Sequence, residues 1–231
     1  FESKNRMLNV TKWSEAMPCY LNREIITLLS TLGVEDQVFL AMQDEQLHLL
    51  DKMLTHREAA LDVLASMGVN ETKSIVVRML RQGFEPEIEP YLSMILQSHR
   101  ESQLSDLRSR CRIFVPKGRV LLGCLDETGI LDYGQVYIRI TMTKTELQIG
   151  EQSFFQKVDE TTAIVKGKVV VTKNPCLHPG DVRVLEAVYE FSLQERGMVD
   201  CILFPLKGVR YAYLILIPNV DAIFVTAHNI L

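Results

Sequence analysis

Basic side chains are concentrated in one short stretch of the chain, residues 108–119, where they could bind an anion such as a phosphate group. They are Arg108, Arg110, Arg112, Lys117 and Arg119. No acid interrupts residues 107–125. Cations at the end of a helix also complement the helix dipole without binding any ligand. Two interpretations therefore stay open: a surface on which Arg110, Arg112 and Arg119 contact nucleic-acid phosphates, or a solvated helix end.

A second candidate phosphate site lies at Lys173, which precedes the segment Asn174–Asp181. Lysine is a good point-charge partner for a phosphate, and we predict that contact for Lys173. Lys166 and Lys168 come just before it, and we interpret them as charges that keep an exposed edge strand from aggregating. His178 stands alone, without a paired carboxylate or nucleophile. It is therefore predicted to be a turn residue with a structural hydrogen bond rather than a general base.

Two adjacent acids, Asp126 and Glu127, follow an apolar run. Adjacent residues on a strand point to opposite faces, so the two carboxylates are not a natural catalytic pair. We predict that they shape a loop, together with Asp132.

Four groups of residues occur in the order and with the rough spacing of a known enzyme family. They are Pro18–Gly33, Gly123–Thr128 with Tyr133–Val136, Asn174–Leu185, and Asp200–Gly208. Together they resemble the catalytic region of the cellular RNA-dependent RNA polymerases of RNA silencing, in particular the plant enzymes. The residues that carry the family motifs are Asn174, His178, Gly180, Asp181 and Lys207. The resemblance implies a double-psi β-barrel as the fold that carries the active site.

The resemblance also implies a Mg²⁺ site, because family members carry an Asp-x-Asp-Gly-Asp motif whose three carboxylates hold the metal. When Phe224–Val225 is aligned with the family's next strand, the three aspartates correspond to Ile217, Asn219 and Asp221. Val220 stands where the motif has its glycine. Ile217 offers no oxygen and Asn219 offers one neutral carbonyl, so the formal charge of the site falls from about −3 to −1.

Asp221 is then either a residual metal ligand with a catalytic role or a turn aspartate beside Pro218 and Asn219. The turn is favoured, because one carboxylate and one amide rarely hold Mg²⁺ without substrate phosphates. We therefore expect this chain alone neither to bind Mg²⁺ nor to add nucleotides.

The function implied by the resemblance is the conversion of single-stranded RNA to double-stranded RNA for silencing. The implied partners are a single-stranded RNA template, nucleoside triphosphates and the remaining modules of a longer polymerase, and the implied location is intracellular, in the nucleus, the cytoplasm or both. The alternative is a catalytically inactive paralogue or fragment that binds RNA or a protein partner.

Composition sets weaker limits on function. The chain has 231 residues, 47% of them hydrophobic, and a net charge of −4, which does not by itself indicate a nucleic-acid-binding protein. Five scattered cysteines without a CxxC pair are typical of reduced thiols rather than of a disulfide framework or a zinc site. The apolar runs are far shorter than the roughly 20 residues of a membrane helix. Because the chain starts without methionine and stops in an apolar segment, we expect it to be part of a longer protein.

The periodicity of apolar residues changes near residue 112. Before it, helical spacing and capping residues predict helices over 22–33, 36–54, 57–67, 70–83 and 91–108. After it, short alternating segments predict strands over 112–115, 120–125, 136–141, 163–165, 169–172, 182–188, 201–204, 211–217 and 222–226. The prediction is an α+β fold with a helical module at 1–110 and a compact β-barrel-like, incomplete catalytic-region module at 111–231.

Overall fold

A computed structural model describes residues 17–66, 71–142, 155–173, 175–206 and 221–226, the last of these as backbone. Apart from a first strand at Met17–Tyr20, the larger helices come before the other strands in these residues, as the change in periodicity predicts, and the fold is a mixed α+β fold. No helix in these ranges is both long and apolar enough to cross a lipid bilayer.

Five helices make up most of the first half. They are α1 Arg23–Thr31, α2 Asp36–Met53, α3 Arg57–Ser66, α4 Glu71–Arg81 and α5 Pro90–Arg110. Two of these helices begin or end at residues whose types favour helix termini. The Asn22 side chain accepts a hydrogen bond from the Ile25 amide and so caps α1, and Gly33 follows that helix at φ +103°, a conformation that favours glycine. Glu89 caps α5 in the same way, ahead of Pro90 at its first turn.

The helices bury two apolar clusters against the strands. One joins α2 through α5 to Phe114, at the start of the sheet. The other joins α1, Phe39 and Ile113 to Cys19 on the first strand and to Cys176, which is distant along the chain. Helices and sheet therefore share cores.

The strands are mostly short. They are β1 Met17–Tyr20, β2 Phe114–Leu125, β3 Gln135–Thr141, β4 Phe155–Lys157, β5 Thr162–Val165, β6 Gly167–Lys173, β7 Arg183–Ala187, β8 Cys201–Phe204 and β9 Asp221–Thr226. A 3₁₀ turn at Pro179–Asp181 and a short helix, α6 Phe191–Glu195, lie between them. The strands predicted over 136–141 and 182–188 are confirmed. The strand predicted over 211–217 lies outside the described residues. Nothing in the sequence pattern indicated α6.

The nine strands form one mixed sheet in the order β1-β2-β9-β6-β7-β3-β5-β4. The eighth strand lies off this path and pairs with both β2 and β3, parallel to the first and antiparallel to the second. The pairings β2–β9–β6–β7–β3–β8 therefore return to β2 and make a closed circuit. Alternate side chains of these strands, with Val136, Ile138, Val169 and Val171 among them, form a fully buried apolar cluster.

Two local predictions are wrong. The sequence predicts two strands here, over 112–115 and 120–125, but β2 runs through residues 116–118 as one strand with a bulge, where its register with β1 shifts between Pro18 and Cys19. Lys168 was interpreted as guarding an exposed edge, but it lies on β6, which has β7 on one side and β9 on the other. Strand partners were not visible in the sequence, because they are distant along the chain.

Strand pairing and hydrogen bonds also attach the helical half to the sheet. The first strand, β1, comes from the predicted helical module and pairs with β2. The buried side chain of Gln46, on α2, accepts a hydrogen bond from the Phe114 amide at 2.9 Å and donates one to the Arg112 carbonyl at 3.4 Å. The division of the chain into domains at 1–110 and 111–231 stays a prediction.

Candidate functional site

The end of β6 and the start of β9 lie side by side and bring two predicted site residues into one place. Lys173, the last residue of β6, is opposite Ala222 on β9. The backbone of Asp221, one residue earlier, pairs with Leu122 on the other side, in β2. Lys173 and Asp221 are 48 positions apart in the sequence, but the antiparallel pairing of β6 with β9 makes them near neighbours. The other two positions aligned with the metal motif, Ile217 and Asn219, lie outside the described residues, as does Lys207.

Lys173 has a carboxylate partner that the sequence did not indicate. Its Nζ lies 3.1 Å from Oδ1 of Asp181, and the two side chains are 27% and 18% exposed. The other oxygen of Asp181 accepts a hydrogen bond from the Leu177 amide at 3.4 Å. The ammonium group is therefore held near the loop that follows β6, and a phosphate that binds Lys173 must share it with Asp181. Asn174, which begins this loop, is outside the described residues.

His178 serves the loop as a turn residue, in agreement with the prediction. Its Nδ1 accepts a hydrogen bond from the Gly180 amide at 2.9 Å and caps the 3₁₀ turn. A Cβ at Gly180 would lie 2.9 Å from the same nitrogen, so only glycine leaves room for the ring there. The ring nitrogen that a general base would use is occupied by this hydrogen bond.

Apolar packing also supports the loop that follows β6. Cys176 is 2% exposed and packs with Cys19 and Ile25, and Val182 packs against the same cluster. Burial raises the pKa of the Cys176 thiol, so it stays neutral at physiological pH. The helical half thus supports the loop that holds Lys173.

The basic residues near the end of α5 do not share one arrangement. A guanidinium nitrogen of Arg110 lies 3.7 Å from Oδ1 of Asp106 on the same helix. The guanidinium carbon of Arg112 lies 5.2 Å from the centroid of the Tyr20 ring. Arg119 donates hydrogen bonds to the Pro116 and Gly118 carbonyls, at 3.0 and 2.8 Å. All three are at least partly exposed, so each could still reach a phosphate. Their common role in binding RNA stays a prediction.

Asp126 shapes the loop after β2, as predicted. It is 2% exposed, and its oxygens accept hydrogen bonds from the Leu131 amide at 2.9 Å and from the amide and hydroxyl of Thr128. Burial raises the pKa of this carboxyl, but the hydrogen bonds outweigh burial and hold the pKa below its usual range. Asp126 is thus a charged structural residue rather than a free acid.

Replacing Asp126 with asparagine should therefore weaken the fold in a pH-dependent way. At neutral pH we expect the free energy of unfolding to fall by about 1–3 kcal/mol, because an amide cannot accept all of these hydrogen bonds. A carboxylate with a depressed pKa stabilises the fold above its unfolded-state pKa of about 3.9, and this contribution is lost as pH falls further. Urea unfolding should thus show a smaller difference between Asp126→Asn and the unchanged chain at about pH 3 than at about pH 7. Glu127→Gln, at the exposed neighbouring position, is the control, and an equal difference at both pH values would contradict a role for the charge.

The family model described as RNA dependent RNA polymerase matches residues 1–213 of the chain. The chain belongs to the RNA-dependent RNA polymerase family. It is 62% identical over 210 residues to RNA-dependent RNA polymerase 2 of Arabidopsis thaliana, in an alignment that covers 91% of the chain and 18% of that protein. It is 32% identical over 221 residues to RNA-dependent RNA polymerase 1 of Schizosaccharomyces pombe, again over 91% of the chain and 18% of that protein. The resemblance seen in the four sequence segments is confirmed.

The polymerase fold agrees with this assignment. The structure is similar to that of the RNA-dependent RNA polymerase QDE-1 from Thielavia terrestris, with a TM-score of 0.62 and 16% sequence identity over 94% of the chain and 25% of that one. At this identity the similarity concerns the fold alone. The chain thus spans about a fifth of the length of these polymerases.

The family match stops just before the positions aligned with the metal motif. It ends at Tyr213, and Ile217, Asn219 and Asp221 follow it. In the described part of the chain, no group of three His, Cys, Asp or Glu side chains is placed to hold a metal ion. The position of the motif in this polymerase sequence therefore rests on the alignment of Phe224–Val225.

Proposed function

We propose that this chain forms part of the catalytic region of a polymerase that copies single-stranded RNA into double-stranded RNA for silencing. The observation that carries the proposal is the family match over residues 1–213. The closed circuit of six strand pairings supports the further proposal that these strands are the family's double-psi β-barrel. The nucleoside triphosphates, the RNA template and the remaining modules of the polymerase are partners that this proposal brings with it.

In this function the chain's own residues bind and position phosphates. Lys173 stands at the end of β6 next to the start of β9, where the family has its metal motif, and its ammonium can contact a phosphate of RNA or of an incoming triphosphate. Asp181 and the turn capped by His178 keep that ammonium in place. Arg110, Arg112 and Arg119 supply positive charge to the RNA backbone.

The residues aligned with the metal motif do not fit Mg²⁺. This ion prefers several oxygen ligands in octahedral geometry, and Ile217 has no oxygen to offer, whereas Asn219 offers one neutral carbonyl. We therefore assign this chain no metal-dependent step. The same observation, with the end of the family match at Tyr213, favours a second candidate function: an inactive relative that keeps the fold to bind RNA or a protein partner.

The RNA-binding part of the proposal can be tested on this chain directly. Arg110→Glu, Arg112→Glu and Arg119→Glu together should lower the affinity for single-stranded RNA at least about tenfold, and equally for RNAs of different sequence. The dependence of affinity on salt should also become shallower, by about 0.7 in the log–log slope for each phosphate that is no longer neutralised. Fluorescence anisotropy with two unrelated RNAs at several salt concentrations measures both effects.

A matched control separates the cluster from total charge. Lys52→Glu, Arg78→Glu and Arg81→Glu change the net charge by the same amount at exposed positions of the helical half. Circular dichroism should show that both triple variants are folded, because Arg112 and Arg119 contact other parts of the chain. Unchanged binding in the first variant, or equal losses in both, would remove the cluster from the RNA site.

A further inference from the structure

Two cysteines that are far apart in the sequence meet on neighbouring strands. Cys124 is near the end of β2 and Cys201 is the first residue of β8, and the two strands are parallel with Leu122 opposite Cys201 and Cys124 opposite Leu203. The cysteines are therefore diagonal neighbours. Residues two positions apart on a strand share a face, so both side chains lie on the same side of the sheet. Cys201 belongs to an apolar cluster on this side, and Cys124 packs against the same cluster.

The two thiols differ in exposure. Cys201 is 5% exposed and belongs to the apolar cluster on this side of the sheet, with Leu131, Tyr137 and Leu193. Cys124 packs at the edge of the same cluster and is partly exposed. Cys124 is therefore the more accessible of the two residues, whereas Cys201 is buried.

Hydrogen bonding between the two thiols shifts their pKa values in opposite directions. Donation from Cys201 lowers the pKa of Cys124 to about 7, against the opposing effect of partial burial. The same bond raises the pKa of Cys201, and burial and the nearby Asp200 raise it further. Two residues of β3 also lie near the cysteines: Arg139 pairs with Cys201, and Tyr137 pairs with Leu203. Burial raises the pKa of the Tyr137 hydroxyl to about 12 and so keeps it neutral. At neutral pH the accessible sulfur is thus the one with thiolate character, which is the reactive form.

We propose that Cys124 and Cys201 form a redox-active pair that hydroperoxides oxidise and small-molecule thiols reduce. The Cys124 thiolate attacks one peroxide oxygen, the O–O bond breaks, and the products are a sulfenic acid on Cys124 and a hydroxide, or an alkoxide from an organic peroxide. The Cys201 sulfur then attacks the Cys124 sulfur, forming the S–S bond and releasing water with the proton of the Cys201 thiol. Two equivalents of a small-molecule thiol return both cysteines to the reduced form and leave as their own disulfide.

The strand geometry makes this bond a reversible switch rather than a permanent brace. Neighbouring strands lie about 4.8 Å apart and two residues along a strand span about 6.6 Å, so these diagonal neighbours are about 8 Å apart between Cα atoms, whereas disulfides usually need about 4.4–6.8 Å. Oxidation must therefore draw the start of β8 toward the end of β2 and disturb their pairing. Such a bond is more easily reduced than an unstrained one. The inference is independent of the proposed polymerase function.

The test uses the chain as it is, with hydrogen peroxide as the oxidant. After exposure, peptide mass spectrometry should find a disulfide joining Cys124 to Cys201, and glutathione should remove it. Before exposure, iodoacetamide should modify Cys124 in preference to Cys111, which is also partly exposed. In Cys201→Ala this alkylation should slow roughly tenfold at neutral pH, because the pKa of Cys124 returns toward its ordinary value of about 8.5. Cys111→Ser is the matched control and should change neither result.

The outcomes on both sides are decisive. On oxidation, amide hydrogen exchange in β8 should become faster in the unchanged chain and stay the same in Cys201→Ala. Each protein is compared with its own reduced form, so this result would support the pair even if Cys201→Ala is less stable. A chain whose Cys124 reacts no faster than Cys111, or in which peroxide yields only sulfinic acid without the disulfide, would overturn the proposal.

Discussion

A complete polymerase that carries residues 205–231 of this chain should make no RNA, and three substitutions in that segment should restore synthesis. The substitutions are Ile217→Asp, Asn219→Asp and Val220→Gly. Removing one electrostatic interaction from an active site commonly costs about 10²–10³-fold in rate. Here two of the three carboxylates that would hold a metal are absent, and the bound metal would supply charge stabilisation for phosphoryl transfer. We therefore expect restoration to raise the rate of templated synthesis by more than about a thousandfold, measured by primer extension with Mg²⁺.

Control variants separate the carboxylates from the shape of the loop. Val220→Gly alone restores the backbone freedom of the motif without any ligand and should stay inactive. If the unaltered segment supports synthesis as well as the restored one, the alignment of Asp221 with the third aspartate is wrong or other residues hold the metal. If the restored segment stays inactive, the defect lies in the residues before the motif, and the metal explanation fails.

Gly118→Ala should lower the free energy of unfolding by about 1–3 kcal/mol, and Gly118→Val by more. A Cβ at position 118 would lie 2.8 Å from Cβ of Cys19 and 3.0 Å from Cγ1 of Val115, so the bulge of β2 and strand β1 would have to separate. Both neighbours are fully buried, which leaves them little room to move. For a chain of this size, 1 kcal/mol corresponds to roughly 2–4 °C in melting temperature, so a fall of about 2–12 °C is expected for the alanine variant.

The control for this prediction is a glycine with open space around it. A Cβ at Gly129 would meet no atom within 4 Å, but the residue has a φ of +67°, so Gly129→Ala tests backbone conformation without crowding. It should cost about 1–2 kcal/mol, from backbone strain alone. A Gly118→Ala chain that melts within about 1 °C of the unchanged one would show that the bulge is not tightly packed there.

The helices were predictable because their signals are local. Asn22 and Gly33 bound the first helix, and Pro90 opens the fifth, so the predicted ranges differ from the observed ones by at most two residues at each end. Strand β1 was missed because Met17–Tyr20 is too short to show alternation. Strand partners were beyond prediction, since β8 finds β2 and β9 finds β6 across long separations.

The candidate site was predictable only where one segment carries it. Lys173 was found because it adjoins the family motif, but its partner Asp181 was not, since an eight-residue spacing has no meaning until the turn forms. The arginines near α5 looked like one cluster in sequence, yet Arg112 and Arg119 contact different groups. The Cys124 and Cys201 pair gave no sequence signal at all, because only the parallel pairing of β2 with β8 brings them together.

The place of β9 between β2 and β6 has a consequence for how the protein is made. During synthesis every other strand of the circuit leaves the ribosome before residues 221–226 do. Until then β2 and β6 each have one edge whose backbone groups lack their strand partner. Unpaired edges of apolar strands are where nascent chains associate wrongly. Loop closure over such separations is also slow, because most of the pairings are non-local. Folding of this chain should therefore depend on chaperones in the interval before the ninth strand arrives, more than its finished stability would indicate.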